Sequence, residues 1–150
     1  MPTNTPTQNS SIVNPLSRFV TTEAVARHLK RNPDEIYRVN CWRHVLHVVG
    51  KGTSTFVSYA DLPPIVGVAL PNHWDVRNWR KRWKKYEHIA PLFWHNFYVD
   101  KLRHAQTMAE LQAWEQVIAY ISFGLPESSR IELEGICAQR THHFLLSEAA

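Results

Sequence analysis

Cysteine is scarce in this chain: among 150 residues only Cys41 and Cys137 occur, far apart and in no CxxC pair. This points away from a disulfide framework or a thiolate metal site and toward two free, partly buried thiols in a reducing compartment. Glycine is nearly as scarce, with five residues, and none builds a glycine-rich phosphate loop or a nucleophile elbow. No apolar run approaches the length of a membrane span, and no charged segment leads into an apolar stretch at the N-terminus. The expectation is a cytoplasmic protein with no membrane partner.

Histidine is plentiful, at nine residues, but it lacks ligand spacing. His44 and His47 fall on opposite faces of a strand, and the adjacent His142 and His143 diverge on a helix. The carboxylates are scattered, and Glu132 and Glu134, two apart, diverge in the same way. The chain is therefore expected to need no metal or cofactor and to be no enzyme, a site assembled from residues distant in sequence being the exception.

What is abundant is positive charge in one place. The net charge is +4, but residues 1–71 contribute seven Lys/Arg against four Asp/Glu, residues 72–106 eight against three, and residues 107–150 two against six. The positive field thus lies mid-chain, and its distribution matters more than its sum.

The length allows one core with a small appendage. The pattern predicts a flexible tail over residues 1–16, a helical and hairpin part over 17–66, and a helical bundle over 72–146, together one compact unit or a tight pair of subdomains. Thr21 caps a first helix with Glu23 in its first turn and Val25, Ala26 and Leu29 on one stripe. Asn32, Pro33 and Glu35 supply an N-cap, a first-turn proline and a capping-box carboxylate for a second helix with Ile36 and Val39 inward. Residues 45–57 then read as two strands around a turn at Gly50–Gly52. Ser58 or Asp61 caps a short turn before Pro63 and Pro64. Beyond LPNH, Asn72 and Asp75 open a helix expected to reach Ile89. A second comes over PLFWHNFYVDKLRH, a third opens at a Thr107 and Glu110 capping box, and a last spans residues 126–143. The fold class is α+β, mostly α. No internal repeat is present.

The stretch VTTEAVARHLKRNPDEIYRV, with the hairpin and FVSYADL after it, resembles the winged helix-turn-helix small domains of excisionase and MerR-type regulators over residues 20–62. In that family the second helix enters the major groove and the hairpin, the wing, touches backbone. By position, the resemblance exposes Asp34, Glu35, Tyr37 and Arg38 on the second helix. Lys51, Thr53 and Ser54 become phosphate contacts on the wing, flanked by Arg43. Asp34 and Glu35 depart from a strong DNA reader, because carboxylates oppose phosphates; helix capping and the macrodipole also account for them.

Residues 79–86, WRKRWKKY, carry the densest positive charge. On a helical wheel Val76, Trp79, Trp83, Tyr86 and Ala90 share one stripe. Arg77, Arg80, Lys81, Lys84 and Lys85 lie opposite, with Arg82 on the flank. Rings that point inward do not stack on bases. The outer cations, with no acidic residue between Asp75 and Glu87, suit a polyanion. The expected function is a regulatory or accessory protein that binds nucleic acid, duplex DNA first, through the wing and this helix. The rival is an adaptor whose basic helix docks on an acidic protein partner, which Asp34 and Glu35 also suit. The acidic C-terminal helices offer a face for a homodimer.

Overall fold

Thr21 starts the first helix as its side chain requires: Oγ1 accepts the Ala24 N–H at 3.1 Å, and helix α1 runs Thr22–Leu29. In this computed structural model the described residues are 7–8 and 14–149, so the expected tail falls largely outside them. The chain is α+β and mostly helical. It divides into two compact units, Met1–Pro63 and Pro64–Ala150, and the division falls inside the Pro63–Pro64 pair.

In the first unit, α1 buries Ala24, Val25 and Ala26 completely. It ends at Lys30, whose left-handed backbone (φ 58°) lets the Arg31 N–H reach the Ala26 carbonyl at 2.8 Å, a Schellman-type closure. Asn32 and Glu35 do form their cap, with the Asn32 N–H donating to Glu35 Oε1 at 3.0 Å. The cap opens only a 3-10 turn over Pro33–Glu35, and the next residues, Ile36–Cys41, are strand β2. The second helix of the expected helix-turn-helix is therefore not formed.

The reason lies in what the segment can bury. A helix of about seven residues with two apolar side chains cannot offset its nucleation cost. The same segment read with period two puts Val39 and Cys41 inward and Arg38 and Asn40 outward, and it pairs with the open edge of the hairpin.

That hairpin consists of β3 (Leu46–Gly50) and β4 (Thr53–Val57), close to the expected strands. With the two-residue strand β1 (Thr7–Gln8), parallel to β2, the sheet order is β1-β2-β3-β4, and β2, β3 and β4 are antiparallel. Gly50 is required by close approach: a Cβ there would stand 2.5 Å from the Glu35 carbonyl oxygen. The same carbonyl accepts the Lys51 N–H at 2.8 Å. Ser58 caps the next 3-10 turn (Tyr59–Asp61) through the Ala60 N–H.

The second unit is helical among its described residues: α2 (His73–Trp83), α3 (Phe93–Arg103), α4 (Met108–Ile121) and α5 (Glu127–Ala149). Asn72 and Asp75 close a reciprocal capping box at 3.0 Å in each direction. Thr107 caps α4 through the Glu110 N–H, while Glu110 reaches back to the Gln106 N–H rather than to that of Thr107. Helix α3 packs on α4 and α5, burying Trp94, Phe97, Tyr98 and Leu102. The buried Tyr98 hydroxyl donates to the Pro64 carbonyl at 2.7 Å. No helix among the described residues is long and apolar enough to cross a membrane.

Candidate nucleic-acid interface

Helix α2 owes its orientation to its tryptophans. Trp79 and Trp83 are 0% and 1% exposed. Their rings stack at 6.2 Å, and Trp94 from α3 meets both edge-on at 6.1 and 5.1 Å. Edge-to-face aromatic packing of this kind adds to area burial. Gly124 lies directly against the Trp83 ring, where a Cβ would overlap its Cζ3, and its carbonyl accepts the Ala90 N–H at 2.8 Å. The helix therefore cannot roll.

With the rings held inside, Arg77, Arg80, Lys81, Lys84 and Lys85 are all exposed, and Arg82 is partly so. These five, the cations expected there, occupy one side of α2 and of the 3-10 turn after it (Lys84–Tyr86). From Arg77 to Lys85 they cover about 12 Å of axis at 1.5 Å per residue. Of the neighbouring acids, Asp75 is buried and closes the capping box with Asn72, while Glu87 lies exposed just after the turn. The negative end of the helix dipole offsets part of the cations' mutual repulsion.

Three details correct the expected helix. It ends at Trp83 rather than near Ile89, because Glu87 (φ 58°) and His88 (φ 64°) are both left-handed and the His88 N–H returns to the Trp83 carbonyl at 2.9 Å. Tyr86 faces outward, 55% exposed, with the Arg82 guanidinium 5.7 Å from its ring centre. Trp74, not anticipated, is 43% exposed and lies three and seven residues before Arg77 and Lys81, on the same helical stripe. A cleft of about 600 Å³ opens in the ridge, lined by Arg80, Lys81, Lys84 and His88 with the Trp83 and Phe123 rings. The Arg80 guanidinium sits 4.6 Å from the Phe123 ring centre, and the buried Trp83 indole N–H has no hydrogen-bond acceptor.

The remaining expected contacts belong to the first unit and are regrouped by the strand that replaces the helix. Tyr37 and Arg38 lie on β2, both exposed, with an irregular register between Ile36 and Arg38 that leaves Tyr37 out of the pairing. Arg38 and Ser54 share a row across the sheet through Val49. Lys51 is exposed in the hairpin turn, Thr53 is half-buried at the start of β4, and Arg43 is exposed in the β2–β3 loop. Asp34, expected on a recognition helix, sits in the 3-10 turn.

The same sheet face carries residues that sequence reasoning missed: Asn40, Trp42, His47 and Phe56. The signal was there, since His47 alternates with the inward Leu46 and Val48, and Phe56 with Val57.

Both cysteines are free. Burial pushes the Cys41 thiol up, against a hydrogen bond with Tyr59. Burial, with Glu115 and Glu134 nearby, pushes Cys137 up to about 12. Such thiols stay protonated near neutrality, the unreactive state. Among the described residues no group of three His, Cys, Asp or Glu could hold a metal ion.

The chain matches no protein-family model, no curated protein and no solved structure.

Proposed function

We propose that this protein binds nucleic acid without acting on it chemically, seating the phosphate backbone of duplex DNA on the cationic ridge of α2 in a regulatory or accessory role. The observation that carries this reading is the ridge itself: five exposed cations of one sign, three on α2 and two on the 3-10 turn after it, held outward by the buried tryptophans. Solvated helix faces ordinarily mix both signs. The hairpin supports the reading in the manner of a wing, with Lys51 and Thr53 at its tip, and no recognition helix is needed for phosphate contacts.

Titration of random duplex DNA at several salt concentrations tests the proposal. Five phosphate contacts correspond to a slope of log K against log salt of roughly −4 to −5. Absence of binding at low salt sinks it. For the adaptor alternative, Asp34 and Glu35 stand in a 3-10 turn rather than on an acidic helix, while the ridge suits an acidic partner as it suits phosphate. Recovery of one stoichiometric acidic protein after nuclease treatment would favour it. The homodimer expectation points to the groove of about 680 Å³ between α4 and α5, lined by Ile118, Leu133, Cys137 and Leu145; sedimentation equilibrium reads it directly.

A further inference from the structure

The sheet of the first unit has two unlike faces. One is an ordinary core surface: Val39, Cys41, Leu46, Val48 and Val57 are all buried. The register sets Asn40, His47 and Phe56 in one row of the other face and Arg38, Val49 and Ser54 in the next. Trp42, one residue beyond β2, stacks on the His47 ring at 5.1 Å with 16° between planes, and Phe56 lies 5.2 Å from His47 and 5.7 Å from Trp42.

The rings are in water. Phe56 is 61% exposed, Trp42 40% and, in the irregular part of β2, Tyr37 63%. Their support is fixed: the His47 ring is held from both nitrogens, by Asn40 Nδ2 at 3.4 Å and Ser54 Oγ at 2.9 Å. A cluster of exposed rings on a preorganised sheet is a surface for a flat partner rather than a solvated face.

Charge says what kind of flat partner. Residues 36–60 contain no Asp or Glu, while Arg38, Arg43 and Lys51 lie among them, each exposed. A ligand that is aromatic and anionic at once, repeating both features along its length, is a single-stranded nucleic acid. We propose that the outer face of this sheet is a stacking platform for unpaired nucleobases, which lie on Trp42 and Phe56 while Arg38 and Arg43 meet the flanking phosphates. The site uses none of the α2 residues and stands or falls independently of duplex binding there.

The test titrates the full chain with a fluorescently labelled oligothymidylate of about ten nucleotides, within the usual site size of a single platform, and with an abasic strand of the same length. The thymidylate binds about 10- to 100-fold more tightly than the abasic strand, as stacking requires. Trp42→Ala and Phe56→Ala each reduce that preference about tenfold, and Trp42→Phe retains it. Replacing Arg80, Lys81, Lys84 and Lys85 by Gln weakens duplex binding and leaves the preference for bases intact. Circular dichroism reports whether each variant folds, and because Phe56 is exposed, Phe56→Ser serves if an alanine variant does not. Equal binding of thymidylate and abasic strand overturns the proposal, as does a preference that survives loss of both rings. Binding to anionic phosphatidylglycerol vesicles that depends on Trp42, with none to the oligonucleotide, overturns it in favour of a membrane surface.

Discussion

Helix α2 and the sheet of the first unit use the same ingredients, aromatic rings and cations, in runs free of acidic residues over 76–86 and 36–60, and arrange them inversely. In α2 the rings of Trp79 and Trp83 are buried and the cations ring the outside. In the sheet Val39, Leu46, Val48 and Val57 are buried and Trp42, His47 and Phe56 lie on the outer face, in or beside the row next to Arg38. The difference is one of what else is available to fill the core. The strands offer Val39, Leu46, Val48 and Val57, so their rings are released; α2 carries Val76 as its only aliphatic residue, so Trp79 and Trp83 must serve. The same ingredients therefore yield an exposed cationic ridge in one unit and an exposed aromatic surface in the other.

The sharpest way to break this contrast is to remove one ring from each region. Trp83→Ala is expected to destabilise the second unit by about 3–5 kcal/mol, the cost of emptying a large buried aromatic site. Trp42→Ala is expected to cost about 1 kcal/mol, the scale of an exposed ring pair. Urea unfolding monitored by circular dichroism measures both, and equal losses would mean that the Trp42 cluster is core. Neutralising Arg80, Lys81, Lys84 and Lys85 together should act the opposite way. It should leave stability unchanged or slightly raised, lower duplex affinity about a thousandfold near 0.1 M salt, and flatten the salt slope by about 3.6 at 0.9 per contact.

A smaller effect tests whether the ridge is rigid. Gly124→Ala places a methyl group into the Trp83 ring, and overpacking of that kind costs about 1–3 kcal/mol. Duplex affinity should fall with it, because the ring that moves is the one that aims the cations. Loss of stability with unchanged affinity would detach the ridge from its aromatic anchor.

The same contrast governs how much of the chain is legible in its sequence. The α2 face is legible because one local period, sustained over three turns, decides it. The capping residues Thr21, Asn72 and Thr107 are legible because their hydrogen bonds are made within three residues. The segment after Asn32 is not, because the Asn32–Pro33–Glu35 signal is equally good for a helix and for a 3-10 turn. The conformation of Ile36–Cys41 is decided by β3, a partner supplied by residues further along the chain. Trp42 and Phe56 escape a local reading for the same reason: fourteen positions separate them, and only the β2-β3-β4 register brings them around His47.

The two regions also end differently, and that gives the finest test. The hairpin turns at Gly52, which takes a left-handed backbone (φ 67°) without steric cost, whereas α2 ends through Glu87 (φ 58°) and His88 (φ 64°), neither of them glycine. Side chains in that region are strained and glycine is not. Gly52→Ala should therefore destabilise the first unit by about 1 kcal/mol, and His88→Gly should stabilise the second by up to about 1 kcal/mol. Thermal unfolding resolves the opposite signs. His88 also lines the cleft with Arg80, Lys81 and Lys84, so His88→Gly separates two reasons for keeping a strained histidine there. If the variant is more stable and binds duplex less tightly, the strain is retained for the ligand. If it is more stable and binds equally well, the left-handed pair serves only to stop the helix, and the cationic face alone carries the interaction.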